Sequence, residues 1–494
     1  MTVAQIIGLI IVVALGALGG FFIVKKSKKH DLAKWITLFI LVAIALTWIF
    51  GFGYYNGAEY VEYSMYQQGL TDIPNLFYYA INFAGDKIIF LLALGAFYAV
   101  ISKCSGYKKL VVTIADKLKG KEIITALSAS LLFAGLASVL SQSFVTLLFV
   151  PFVVSIILSM KLDKITAFCV TFGSILIGTL GATYGSEGLS WFNYSTQTAL
   201  TVGILYRLIV LAVAFILFNF FTVLHIKKVL AGKKVNEVSA DPFKVEKTDK
   251  TAKVWPIITI LSIVFVFVIL GYMNWNGNFG IECFDKFHEW LIGLKIGGFA
   301  VFAKILGNLN AAFGAWNLFH ISILLGILSI VLALVSKISL NDFIESYSDG
   351  FKKLGKGILL YIAAYMLMIV VYDVNTGTSL MSTLSNTLSV KTFNPYLTSL
   401  TALISNIFHV DFGFTGYSVA SAIMAGYATN VEVIHTIFAT MYGFVGLCIP
   451  TSGMLLIGLS YLDIEYKTWI KYIGMFVLAI LVILLVLFTV MTYI

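Results

Sequence analysis

Long apolar runs recur along the whole chain, and they constrain the fold more than any other feature. Of the 494 residues, 60% are hydrophobic and 12% are charged, whereas soluble globular chains carry about 25% charged residues. Runs of about 20 apolar residues need lipid around them. The sequence therefore predicts an all-α polytopic membrane protein and excludes soluble enzyme folds. The apolar runs are 4–24, 35–53, 87–102, 123–159, 165–184, 199–224, 255–272, 317–336, 357–372, 395–426, 432–461 and 472–493.

Two of these runs have the form of re-entrant hairpins. Residues 123–159 are too many for one crossing and too few for two crossings with an exposed loop. The polar residues Ser141, Gln142 and Ser143 lie at the middle of this run. Residues 395–426 have the same form. Such a hairpin is tolerated where its tip is buried in protein or lines a cavity, so the sequence predicts two hairpin tips that face the membrane midplane.

Two further spans are interrupted by helix-breaking residues. The first span, which begins at 165, is interrupted by GTLGATYG at 178–185, and the second, 432–461, is interrupted by CIPTSG at 448–453. Glycine and proline weaken or break a helix. Each hairpin is therefore followed by a helix that is broken near its middle.

The two halves of the chain resemble each other at an offset near 270 residues. The segment from Ile81 parallels the segment from Phe351, and a hairpin and a broken span follow each. The first copy enters its hairpin from inside and the second from outside, so the repeats are inverted, as in alternating-access transporters with a midplane site. The predicted parts are N-terminal scaffold helices (1–84), a first transport-domain repeat (85–198), middle scaffold helices (199–340) with a cytoplasmic linker (226–254), a second transport-domain repeat (341–471) and a C-terminal helix (472–494).

The distribution of lysine predicts the orientation, because cytoplasmic loops collect positive charge. Of the 33 basic residues, 27 lie in six loops that the hairpin topology puts on one side. Both termini are then outside. The basic charge is explained by membrane topology, so we expect lipid and not nucleic acid as its partner, and the preference for lysine over arginine indicates a bacterial cell membrane. The loops are 25–34, 103–122, 161–164, 226–254, 337–356 and 467–471.

The breaks supply the atoms that bind a small ion. A helix that stops inside the membrane leaves unpaired N–H groups at one end and unpaired carbonyls at the other, which makes an anion site and a cation site without charged side chains. The alternative is a kinked helix that packs closely on a neighbour, since glycine is frequent in membrane helices. The predicted Na⁺ ligands are the oxygens of Thr179, Gly181, Thr451 and Ser452.

Charged and titratable residues near the second tip are the next candidates. Asp411 lies in an uncharged stretch, and an acid at the bilayer centre costs about 2.5–3.5 kcal/mol. We expect it to bind a coupling ion or a substrate amine, and the alternative is a loop residue at the outer surface. His409 either relays a proton with Asp411 or bonds a neighbouring group. For Arg207, the only arginine, we expect snorkelling to the outer interface over clamping a carboxylate. Asp373 and Asn375 follow an apolar run, and we expect them to end that span at the outer interface; the alternative is that they face the cavity.

A family resemblance becomes specific at these segments. The stretch IPTSGMLLIGLSYLDIEYKTWIKYI, from Ile449, resembles the closing motif of the YfcC-like carriers, which are relatives of the anaerobic four-carbon dicarboxylate carriers in the ion transporter superfamily. IIFLLALGAFYAVISKCSGYKKLV, from Ile88, is similar to that family's first transport-domain helix. The resemblance implies an inverted-repeat ion-transporter-superfamily fold, a homodimer, a scaffold domain and a moving domain, and transport of small anions or amino acids with Na⁺ or H⁺.

The chain departs from the family pattern at the positions that select the substrate, namely the two hairpin tips and the first broken helix. The family commonly has paired glutamates at the first tip and an Asn-Pro element in the first broken helix, and the second tip commonly has a serine-glycine run. Here the first tip is neutral and the second tip contains an added acid. The predicted substrate and ion site comprises Ser141, Gln142, Ser143, Thr179, Gly181, Thr183, Tyr184, Asp411, Thr415, Gly416, Pro450, Thr451 and Ser452.

These features predict a secondary active transporter of the elevator type for small organic solutes. The chain contains no Walker A motif, so we expect no direct use of ATP, and no cofactor beyond a coupling Na⁺ or H⁺. With neutral tips and one acid, amino acids or small peptides are favoured, and C4-dicarboxylates or other organic anions are the alternative. A channel, a receptor and a membrane-embedded enzyme are further alternatives, although no HExxH or GxSxG motif is present to support the enzyme.

Overall fold

The computed structural model describes residues 2–26, 31–63, 67–185, 188–232, 243, 251–307, 311–388, 390 and 392–494. Within these residues nine helices are long and apolar enough to cross a membrane, which confirms the all-α polytopic class. The helices are α1 (Val3–Lys26), α2 (Asp31–Thr47), α3 (Ile73–Lys103), α4 (Ser105–Lys117), α5 (Glu122–Val139), α6 (Ser143–Ser159), α7 (Lys164–Leu180), α8 (Leu189–Thr196), α9 (Ile204–Leu230), α10 (Trp255–Tyr272), α11 (Trp275–Phe279), α12 (Cys283–Gly293), α13 (Val301–Leu306), α14 (Leu318–Val335), α15 (Leu340–Val371), α16 (Leu380–Thr387), α17 (Pro395–Phe408), α18 (412–426), α19 (Val431–Cys448), α20 (Gly453–Tyr461) and α21 (Tyr466–Tyr493).

The first helices of the two repeats, α3 and α15, pack on each other at a pair of glycines. A Cβ added at Gly95 would lie 2.5 Å from the carbonyl oxygen of Gly350, and a Cβ at Gly350 would overlap the carbonyl of Gly95. Small residues at a helix crossing let two backbones approach closely in a membrane. The repeats therefore meet through backbone contact.

Each half then contains the same succession of a helical hairpin and a broken helix. In the first hairpin the break at 140–142 separates α5 from α6, and in the second the break at 409–411 separates α17 from α18. Helix α5 packs on α7, and α17 packs on α19 in the same way. The broken helices α7 and α19 also cross each other, and a Cβ added at Gly443 would overlap the backbone of Leu180.

A small antiparallel sheet, which the sequence did not predict, joins the N-terminal part to the second repeat. Its order is β2-β1-β6-β5, with strands Gly53–Asn56, Glu59–Glu62, Tyr372–Asp373 and Thr378–Ser379 as β1, β2, β5 and β6, and a separate hairpin pairs β3 (Lys295–Ile296) with β4 (Phe299–Ala300). Gly57, with φ 63°, occupies the turn between β1 and β2, where a left-handed residue is required. Strands of two residues carry no periodicity that a sequence pattern can reveal.

Most of the predicted linker 226–254 lies outside the described residues. Helix α9 continues through Leu230, so the first residues of that segment are helical. Phe243 is fully buried, and its ring lies 5.7 Å from the ring of Tyr98 and 6.2 Å from the ring of Tyr461. The amine of Lys353 lies 4.7 Å from the centre of the same ring. This residue of the linker therefore packs on both repeats.

Candidate functional site

A small cavity lies where the two hairpin tips and the two breaks come together. The space open to the centre of a water-sized sphere is about 40 Å³, and one water occupies about 10–15 Å³ on that measure. The cavity therefore has room for about three waters. Its lining residues are Ser143, Phe144, Leu176, Thr179, Tyr361, Asn406, His409, Val410, Tyr442, Gly443, Val445, Gly446, Thr451, Ser452, Gly453 and Met454.

Four residues of the predicted site line this cavity, namely Ser143, Thr179, Thr451 and Ser452, and two of them lie at helix N-termini. Ser143 is the first residue of α6, and Ser452 precedes the first residue of α20. Helix N-termini present unpaired N–H groups and a partial positive charge. Thr179 and Thr451 add hydroxyl groups from the first broken helix and the second break. The cavity therefore offers hydrogen-bond donors from both elements to an anion.

Among the described lining residues, hydroxyl and carbonyl oxygens are the candidate ligands for Na⁺. No cluster of three or more His, Cys, Asp or Glu side chains that could hold a metal occurs among the described residues. The Thr179 hydroxyl donates to the carbonyl of Ile175 at 3.1 Å, which leaves its lone pairs available to a cation. The predicted Na⁺ ligands Thr179, Thr451 and Ser452 share the cavity lining, but Gly181 does not.

A polar chain at the second tip joins the hairpin to the second broken helix. The Asn406 amide nitrogen lies 3.3 Å from the carbonyl oxygen of Phe438, and Thr415 Oγ1 lies 3.0 Å from Asn406 Oδ1. His409 Nδ1 lies 3.2 Å from the same Thr415 oxygen. Both Thr415 and His409 are fully buried. Thr415, a residue of the predicted site, is therefore outside the lining and contacts two lining residues, His409 and Asn406.

Two predicted residues of the first break, Thr183 and Gly181, form hydrogen bonds with the end of α5. The amide and the hydroxyl of Thr183 both donate to the carbonyl of Ser138 at the end of α5, at 2.9 and 3.0 Å. The Ser138 hydroxyl donates to the carbonyl of Gly181 at 3.0 Å. These bonds satisfy groups that a helix end leaves unpaired. They fasten the first hairpin to the first break and leave neither residue in the cavity lining.

Three further predicted residues, Ser141 and Gln142 at the first tip and Tyr184 at the first break, are absent from the cavity lining. The Ser141 amide donates to the carbonyl of Tyr272 at 3.0 Å, which ties the tip to α10. Gln142 Oε1 is buried without a hydrogen-bond partner in the part of the chain that the structure describes. The Tyr184 ring lies 5.5 Å from the ring of Phe279 on α11.

Asp411 caps a helix at the second tip. Its Oδ1 accepts a hydrogen bond from the Gly413 amide at 3.0 Å, and the side chain is absent from the cavity lining. An aspartate is a strongly preferred N-cap residue because its oxygen satisfies an unpaired N–H group. Gly416 approaches Ser195 so closely that a Cβ would overlap the Ser195 hydroxyl. Pro450 lies in the second break between α19 and α20.

The prediction for Arg207 is wrong, because its side chain is fully buried. Nη1 donates to the carbonyls of Ala182 and Thr183 at 2.8 and 2.9 Å, and Nη2 donates to those of Leu200 and Val202 at 2.6 and 3.1 Å. The planar fork of a guanidinium matches several acceptors at once. Arg207 therefore holds the backbone that follows the first broken helix and does not snorkel.

Side chains of α21 hold the second break in a comparable way. The Tyr466 hydroxyl donates to the carbonyl of Cys448 at 2.6 Å, and the indole nitrogen of Trp469 donates to the carbonyl of Leu447 at 2.8 Å. These carbonyls belong to the last turn of α19. Carbonyl groups in the last turn of a helix have no partners within that helix. In both halves, side chains of the next membrane-length helix, α9 or α21, satisfy carbonyls at the break.

Asp373 is buried in the turn between β5 and β6. Its two carboxylate oxygens accept hydrogen bonds from the Asn375 amide at 3.0 Å and the Thr376 hydroxyl at 2.6 Å. Asp373 and Asn375 are absent from the cavity lining. Their visible role is to shape the turn that carries the sheet.

Sequence reasoning missed three polar residues of the lining, namely Tyr361, Asn406 and Tyr442. The Tyr442 hydroxyl donates to the carbonyl of Val410 at the second tip, at 3.1 Å. Asn406 gave a signal, because it is an amide in an apolar run just before the tip. Tyr361 and Tyr442 gave none, since tyrosines are common in this chain and their contacts arise only when distant helices pack.

One of three comparisons with known proteins assigns the chain to a family. The family model described as "C4-dicarboxylate anaerobic carrier" (DcuC) matches residues 6–493, whereas none of the curated proteins matches the chain significantly. Among solved structures, the YdaH transporter of Alcanivorax borkumensis is similar at 12% identity with a TM-score of 0.39, over 92% of this chain and 97% of that one. The chain therefore belongs to the C4-dicarboxylate anaerobic carrier family and is a secondary transporter, not an enzyme.

Proposed function

We propose that this protein carries C4-dicarboxylates across the membrane by moving the hairpin tips and breaks as one transport domain. The observation that carries the proposal is the cavity between the N-termini of α6 and α20. Two positive helix ends at one cavity suit a solute with two carboxylates. No Asp or Glu side chain is among the described lining residues, so no fixed negative charge opposes an anion.

The same features support amino acids and peptides less well. That prediction depended on Asp411 as the partner of a substrate amine, and Asp411 instead accepts a hydrogen bond from a backbone amide outside the lining. A buried ammonium without an anionic partner is costly. The match to a dicarboxylate carrier family also supports the dicarboxylate alternative over the amino acid prediction.

The cavity is smaller than a four-carbon diacid, so we expect the two tips to separate when a solute enters. The coupling ion is Na⁺ or H⁺, and Thr179, Thr451 and Ser452 are the oxygen ligands that Na⁺ would use. We further propose a homodimer in a bacterial cell membrane with both termini outside. The closing motif from Ile449 supports the YfcC-like branch of the family.

Solute counterflow in proteoliposomes tests the proposal directly. Vesicles loaded with unlabelled succinate are diluted into labelled succinate, and labelled glutamate and alanine are tested in parallel, with Na⁺ present or replaced by choline. We expect saturable, trans-stimulated uptake of succinate and little uptake of the amino acids. Loss of uptake in choline would assign Na⁺ as the coupling ion.

Matched serine variants test whether the cavity is the site. Ser452→Ala removes a hydroxyl from the lining, and we expect it to raise the KM for succinate about tenfold. Ser141→Ala removes the same group from a residue that is absent from the lining, and we expect a wild-type KM. Trans-stimulated uptake of an amino acid in place of succinate would contradict the proposed substrate, and equal effects of the two variants would contradict the proposed site.

A further inference from the structure

The hydrogen bonds behind the second tip fix the direction of a proton chain. The Asn406 side-chain nitrogen faces the carbonyl oxygen of Phe438 at 3.3 Å, and this contact requires an N–H donor. The other side-chain atom, Oδ1, therefore faces Thr415 Oγ1 at 3.0 Å. A carboxamide oxygen only accepts hydrogen bonds. The Thr415 hydroxyl must donate to it.

This direction determines which nitrogen of His409 is protonated. The hydroxyl of Thr415 has one hydrogen, which it donates to Asn406, so toward His409 it can only accept. The neighbouring atom, His409 Nδ1, at 3.2 Å, must then carry a hydrogen. In the neutral imidazole the other nitrogen, Nε2, is a bare acceptor. Nε2 is buried, without a hydrogen-bond partner among the residues described, on a side chain that lines the cavity.

The surroundings of His409 contain few other titratable groups. Tyr361 of α15 and Tyr442 of α19 line the same cavity, and the Tyr372 ring at the end of α15 lies 6.5 Å from the imidazole. Asp411, on the same tip, accepts from the Gly413 amide, and Asp373 follows Tyr372 in β5. In the described lining, α6, α7 and the second break contribute no charged side chain.

A bare Nε2 and a carboxylate oxygen are both acceptors, so they form a hydrogen bond only when a proton lies between them. We propose that His409 Nε2 binds one carboxyl group of the solute through a shared proton, so that the carrier moves the monoprotonated form of a C4-dicarboxylate. This inference rests on the proposed function. One proton enters the site with each dicarboxylate and leaves with it, and the second carboxylate faces a helix N-terminus.

The pH dependence of uptake tests the transported species. Proteoliposomes are given labelled succinate at a series of external pH values, and an internal pH dye reports proton entry, with protein-free vesicles as the background. At a fixed, subsaturating total concentration, uptake should fall about tenfold for each pH unit above the second ionisation of the diacid, as the monoanion disappears. The vesicle interior should acidify as succinate enters.

Two substitutions distinguish the role of His409 from that of Thr415, which holds the hydrogen on His409 Nδ1. His409→Asn keeps an N–H that can donate to Thr415 but removes the acceptor at Nε2. We expect its KM for succinate to rise about tenfold and its uptake to lose the steep fall with pH. Thr415→Val removes the acceptor that holds the hydrogen on Nδ1, which allows the hydrogen to move to Nε2. Its uptake should then persist at higher pH, because Nε2–H can donate to the dianion.

A second buried histidine provides the matched control. His435 Nε2 lies 2.6 Å from Asn193 Oδ1, and His435 is absent from the cavity lining. His435→Gln should keep the wild-type pH profile. If wild-type KM for total succinate is independent of pH and no proton enters, the inference fails while the proposed function stands. If wild-type protein that elutes as a single folded species exchanges no succinate at any pH, both fail.

Discussion

Arg207 gives the sharpest test of how the first break is held. Its guanidinium donates to four carbonyls, two from each terminal nitrogen. The compact ammonium of lysine has no such fork, so we expect Arg207→Lys to keep at most two of the four bonds. Each buried carbonyl left unpaired costs about 1–3 kcal/mol, so the free energy of unfolding should fall by about 2–6 kcal/mol.

The assay is equilibrium unfolding in mixed detergent micelles, followed by tryptophan fluorescence, with counterflow measured on the same preparations. Lys228→Arg, the reverse exchange at an exposed position on the same helix, is the control and should change stability by less than about 0.5 kcal/mol. If Arg207→Lys unfolds with the wild-type free energy, the four-carbonyl arrangement does not hold the break.

Two further predictions concern stability. Gly443→Ala should destabilise the protein markedly, because its Cβ would overlap the backbone of Leu180, whereas Gly474→Ala meets nothing within 4 Å and should be neutral in thermal unfolding. Burial raises the pKa of Asp163 at the start of α7, but hydrogen bonding and charge attraction to His225 outweigh it and hold that pKa below its usual value. Wild-type stability should therefore be retained above about pH 4 and decline below it, and Asp163→Asn should lack this component; an identical acid profile would contradict the ion pair.

Sequence patterns predicted the skeleton of the fold because those patterns are local. The hairpin 123–159 corresponds to α5 and α6, and the break at Pro450 separates α19 from α20. Both depend only on the length of an apolar run and on residues that a helix tolerates poorly. The two-residue strands β5 and β6 escaped prediction, since their pairing partners lie elsewhere in the chain.

The candidate site was predicted less completely than the skeleton. Hydroxyl residues near both breaks were selected by chemistry, but Thr179 lines the cavity while Thr183 bonds the end of α5. The two residues lie four positions apart, and no local pattern distinguishes their roles. Asp411 was selected because a charge in lipid is costly, yet a backbone amide at the tip satisfies it.

The sequence by itself determined that this is a polytopic membrane protein and where its apolar runs are broken, because the absence of water leaves the backbone few alternatives. That its halves are inverted repeats stays a prediction. Only the tertiary structure decided which polar groups meet across the breaks. Arg207 is buried because four carbonyls from separate segments converge on it. The Nε2 atom of His409 is a bare acceptor because the Thr415 hydroxyl donates to Asn406 and so accepts from His409 Nδ1. Such roles depend on long-range packing, which composition and spacing do not encode.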